Sequence, residues 1–154
     1  MMRRLMPAYL VGVACYVAFS LTQDLGPGIE ARFLPVRVDQ AVERIERSGA
    51  RMCWDWSGRK VRPLASDNLD VFVRVNGGEA FVASVFRADS GQPWRASASP
   101  AVGPVRTRYC LTLPLGVVPV DDVRVSWIAY YPSPMRIYRL AIPLPEIVSP
   151  GTKP

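Results

Sequence analysis

The 154-residue chain contains no histidine. That absence excludes triads with a histidine base, histidine-ligated haem and zinc sites of the usual cysteine–histidine kind. Lysine is almost missing as well. Lys60 and Lys153 are the only two among 19 basic residues, and the rest are arginine. These cations are scattered and mixed with 13 acids, whereas a nucleic-acid reader gathers them into a stripe. No nucleic-acid partner is expected. No G-x-G-x-x-G, P-loop or G-x-S-x-G sequence occurs, nor any calcium-loop spacing. No metal and no cofactor are expected. Close carboxylate pairs are limited to Asp121-Asp122 and Asp67 with Asp70. Adjacent strand residues point to opposite faces, so turn capping explains these pairs better than acid–base chemistry.

Charge is absent from one stretch near the N-terminus. Arg3 and Arg4 precede a run from Leu5 to Leu21 without a charged residue, and charges resume at Asp24. As a helix, residues 5–22 would extend roughly 27 Å, close to the ~30 Å apolar core of a bilayer. Residues 1–22 are therefore expected to form a transmembrane anchor or uncleaved signal. The arginines place the N-terminus in the cytoplasm and residues 24–154 outside it. The expected protein is a single-pass protein of a bacterial inner membrane. The alternative is a signal peptide cleaved at Ala18-Phe19-Ser20, which would release a periplasmic or secreted domain. A lipoprotein signal ending at Cys15 fits poorly, because Gly12 stands where a large aliphatic residue is needed.

The remainder is the length of one domain and can bury its own core. The formal charge is +6, of which Arg3 and Arg4 supply two and leave +4 beyond them. Such a balance suits contact with anionic surfaces, or simply a solvated exterior. The 15 prolines are scattered, which implies many turns and strand ends. Cys53 and Cys110 form an even pair in an exported domain and are expected to be disulfide-bonded.

Residues 23–37 read as a tether, broken by Gly26-Pro27-Gly28 and extended by Pro35. Val38, Val42 and Ile45 recur at helical spacing, so a short helix at 39–48 is expected, with an irregular lead-in as the alternative. From Arg51 the pattern turns to β. Met52, Trp54 and Trp56 alternate, and Ser57-Gly58-Arg59-Lys60 reads as a turn. Leu69 to Val75 and Ala80 to Phe86 flank Asn76-Gly77, a strong hairpin signal. Residues 96–105 form an expected exposed loop. Further strands are expected around Tyr109–Leu113 and Val123–Ala129. A turn at 130–134 leads to a last strand, Met135 to Leu144. The proline-rich residues 149–154 form a flexible tail that cannot continue a sheet.

These strands predict a mainly β chain: an antiparallel sandwich, immunoglobulin-like or similar, over residues 38–148. Both cysteines alternate away from apolar triplets. Their bond is therefore expected to join neighbouring strands on an outer face, unlike the inter-sheet pin of antibody domains.

The candidate binding residues are Trp54, Trp56, Arg59, Lys60 and Arg62, with Tyr130 and Tyr131 as a second aromatic spot. Aromatics beside cations stack on sugars or sit at lipid interfaces. The competing reading places the tryptophans in the core and the cations in a solvated turn. Ser57-Gly58-Arg59-Lys60 with Ser66-Asp67-Asn68 resembles two motifs of penicillin-recognising serine enzymes. That likeness fails, because the serine must open a helix and Gly58 sets it in a turn.

The layout of anchor and small β domain resembles accessory envelope proteins of bacteria and their phages. The expected function is a non-catalytic, membrane-anchored protein whose outer domain binds or scaffolds another envelope protein or membrane complex. The alternatives are a secreted glycan- or lipid-binding module and a small enzyme that works without histidine.

Overall fold

Alternating apolar residues become strands wherever a neighbour can pair with them. The computed structural model describes residues 2–94, 101–133 and 136–151. A helix, α1 (Met2–Phe33), precedes β1 (Arg37–Ser48), β2 (Arg51–Lys60), β3 (Asn68–Val75), β4 (Phe81–Val82) and β5 (Val85–Arg87). There follow β6 (Gly103–Thr112), β7 (Val123–Pro132), β8 (Arg139–Pro143) and β9 (Ile147–Ser149). One antiparallel sheet has the order β1-β2-β6-β5; the other has β4-β3-β7-β8, with β9 also on β7. Their inner faces supply one core: Met52, Trp54 and Trp56 from the first sheet meet Val71, Val73, Val125 and Trp127 from the second. The chain is mainly β, and its paired sheets are consistent with a β-sandwich.

The Asn76-Gly77 turn is present. Both residues have positive φ, 50° and 72°, as a type I′ turn requires. The apolar run after it does not form one strand. Phe81–Val82 pair with β3, whereas Val85–Arg87 pair with β6 in the other sheet. The chain changes sheets within that run.

Several expectations are corrected. Residues 39–48 lie in β1, not in a helix. Register shifts between Val38 and Ala41 and between Glu43 and Glu46 mark irregularities in the pairing with β2. Asp39 and Arg44, inside those shifts, have positive φ. Each bulge adds a residue to the strand, so a β pattern imitates helical spacing. The tether is also replaced by structure: α1 continues to Phe33 with Pro27 inside it. Tyr138 lies 2.8 Å from where a Gly26 Cβ would stand, so glycine there serves a close approach. The turn at 57–60 is the end of β2, and β7 runs on through Tyr130, Tyr131 and Pro132. The last expected strand shortens to β8, and β9, a further strand not expected, extends the sheet into residue 149 of the expected tail. Of the expected loop at 96–105, residues 103–105 belong to β6, while 96–100 lie outside the described residues. Residues 134–135 and 152–154 lie outside them as well.

The expected transmembrane anchor is not supported. Among the described residues no helix is long and apolar enough to cross a membrane. The apolar stretch merges into Gln23, Asp24 and Glu30 within one continuous helix.

Candidate functional site

The inward-facing row of β2 runs Met52, Trp54, Trp56 and then ends, two positions past Gly58, in a cation. Lys60 is only 5% exposed, and its register partner on β1 is Arg37. Paired residues share a face, so two cations stand together at one end of the sandwich interior. The Arg37 guanidinium lies 4.5 Å from the Trp56 ring centroid and 5.7 Å from that of Tyr131. Its Nε donates to the Tyr131 hydroxyl. Among the described residues, no carboxylate lies within ion-pair distance of Arg37. Stacking on aromatic faces is what holds this charge at the edge of the core.

Burial lowers the pKa of Lys60, and the neighbouring Arg37 lowers it further. Burial raises the hydroxyls of Tyr109 and Tyr131, with Arg37 opposing in both cases. A hollow of about 10 Å³ lies among Arg37, Trp56, Trp94, Tyr109, Trp127 and Leu144. The Trp56 indole N–H has no partner among the described residues, and neither does the buried Gln40 Oε1.

The base of α1 forms a second cluster. Glu30, nearly buried, pairs with Arg62 at 2.6 Å. It also accepts from the Tyr138 hydroxyl at 2.5 Å. Arg62 donates to the Leu34 carbonyl at 2.9 Å, so one guanidinium both pairs the acid and caps the helix end. The hydrogen bond to Glu30 is the first cause of the raised Tyr138 pKa, followed by burial. Ala31 and Val36 pack with Tyr131, Leu140 and Ile142 beneath these polar contacts. Further out, α1 turns apolar and exposed. Tyr9, Leu10, Val11, Val13, Tyr16, Val17, Phe19 and Leu21 are all exposed, Tyr16 to 72%.

The outer face of the first sheet is polar. Asp55 faces Arg108 at 3.3 Å, Arg106 at 3.6 Å and Arg44 at 3.9 Å, while Glu43 and Glu46 pair with Arg106 and Arg108. Acids and bases there offset one another. The Cys53–Cys110 disulfide lies on the same face and joins two strands paired in register. Arg51 covers it, stacked 5.1 Å from the Phe86 ring centroid. On the second sheet, Asp67 pairs with Arg139 at 3.1 Å. Both border a cleft of about 540 Å³ with Pro132, Arg136, Ile137 and Tyr138.

The residues singled out from sequence are thus dispersed. Trp54 and Trp56 are buried, and Trp54 belongs wholly to the core. Trp56, Lys60 and Tyr131 meet at the interior end around Arg37. Arg59 points outward and pairs with Asp39 at 3.2 Å, and Arg62 serves the helix base. Tyr130 and Tyr131 fall on opposite faces of β7, with only Tyr130 partly exposed. Ser57 and Lys60 also face opposite ways along β2, which removes the serine–lysine pairing physically. Arg37, Glu30 and Tyr138 were not foreseen. Arg37 carried one usable signal, its alternation with Val36 and Val38 at the start of β1. Among the described residues no group of three or more metal-ligating side chains gathers. No protein-family model matches the chain, and no curated protein matches it at a significant level.

Proposed function

We propose that this chain is a non-catalytic scaffold outside the cytoplasm, whose β domain is held against another envelope or membrane-complex component by α1. One observation carries the reading: the base of α1 is bonded to the β domain, while the described apolar residues of its outer part are exposed. A helix that is apolar on all sides needs a cover, either lipid or protein. Rooted by Glu30, Arg62 and Tyr138, α1 would transmit the position of its partner to the domain as a rigid lever.

Two further features support the reading. The disulfide suits an oxidising compartment. The order β1-β2-β6-β5 corresponds to A-B-E-D of immunoglobulin-like sandwiches, and β4-β3-β7-β8 corresponds to C′-C-F-G. That order supports an immunoglobulin-like sandwich as the finer reading of the fold. The bond within one sheet sets it apart from antibody domains. Fold alone does not fix activity; the assignment to scaffolding rests on the helix.

A photo-reactive residue at position 16 tests the proposal in cells. Crosslinking to a discrete protein from position 16, but not from position 112 on the outer sheet face, is expected. Equal crosslinking from both positions, or none from position 16, would contradict it.

A further inference from the structure

We propose that the interior end of the sandwich around Arg37 is a binding site for a single carboxylate group of a small organic acid. The observation is a cation without a counter-ion among the described residues, held against aromatic rings. Arg37 uses Nε on the Tyr131 hydroxyl and stacks on Trp56 and Tyr131. Its terminal nitrogens have no carboxylate within ion-pair distance among the described residues. A guanidinium presents a planar fork that matches a carboxylate.

The donors that line the hollow favour the same ligand. Trp127 Nε1 is already committed to the Pro145 carbonyl at 2.8 Å. Thr107 and Trp94, with Arg37, oppose the rise that burial gives the Tyr109 hydroxyl. Trp56 Nε1 is buried and has no partner among the described residues, and Trp56 itself is 1% exposed. The lining therefore offers two kinds of unused donor, guanidinium and indole, and both require an acceptor. The hollow, about 10 Å³, has room for roughly one water-sized atom. One carboxylate oxygen fits, with the rest of the acid outside.

The test is an NMR titration of the full chain with sodium acetate, following the Trp56 indole N–H resonance assigned through Trp56→Phe. Sodium chloride at equal concentration is the control for ionic strength. A saturable shift with acetate and none with chloride is expected. Arg37→Gln should weaken that binding about ten-fold or more, the usual loss of one charge-assisted contact. If Arg37→Gln does not fold, Arg37→Lys keeps the charge and loses the fork, and it should weaken binding as well. An unmoved Trp56 resonance, a shift that chloride reproduces, or unchanged acetate affinity in the folded variant would overturn the proposal. The first of these outcomes would leave the hollow as a site for one water.

Discussion

Trp127 stands where the two sheets meet. Its ring centroid lies 5.4 Å from that of Trp54, 5.6 Å from Tyr109 and 6.4 Å from Trp56, each near edge-on. Its indole N–H is anchored on Pro145. Trp127→Ala should cost about 4 kcal/mol through a cavity that these rigid rings cannot close. The midpoint of urea unfolding measures it, and a loss under ~1 kcal/mol would show that the cluster repacks freely. Asp121 works on a smaller scale. It accepts from the Val118 N–H at 2.8 Å and from Asn76 at 2.7 Å, and these bonds hold its pKa below the ordinary 3.8. A depressed acid stabilises above its unfolded pKa and loses that contribution as pH falls through the folded one. Unfolding measured as a function of pH should therefore weaken below about 3.8, and Asp121→Asn should flatten part of that slope. The sequence had already marked these aspartates as turn caps. It also offered the tryptophans equally to core and surface, because alternation shows that residues share a face but not which face is buried.

At the scale of elements, α1 is attached through few groups. Arg62→Met would leave Glu30 nearly buried beside Tyr138 without its cation, at a cost of about 2 kcal/mol. Hydrogen exchange should then rise in residues 26–33 while β3 and β7 stay protected. Equal exchange across the chain would mean that the helix base and the sandwich unfold together. Tyr138 adds a pH dependence. Its pKa is raised, so its contribution is complete below the ordinary value of 10.0 and is lost as pH rises through the folded one. The disulfide closes a separation of 57 residues. Cys53→Ser with Cys110→Ser should lower stability by about 4 kcal/mol at most on chain-entropy grounds, as read by denaturation with reductant as a second control. Strands such as β3 and β7 were legible because unbroken alternation survives in them. The element β1 was not, since its bulges hide the period of two. Helix continuity through Gly26-Pro27-Gly28 was also illegible, because it depends on Tyr138, more than a hundred residues away in sequence.

At the scale of the whole molecule, a bonded sandwich carries an apolar helix that it does not cover itself. The sandwich architecture followed from strand count and turn spacing. The partner proposed for the helix is written nowhere in the sequence, because an exposed apolar surface specifies area and not identity. The most direct measurement is the size of the full-length protein recovered from its native cells in mild detergent, by light scattering on a sizing column. A stable complex larger than the monomer is expected, and Val13→Glu with Val17→Glu should reduce it to a folded monomer. Wild-type protein that runs alone at monomer size, or a complex that survives both substitutions, would contradict a scaffold held by α1.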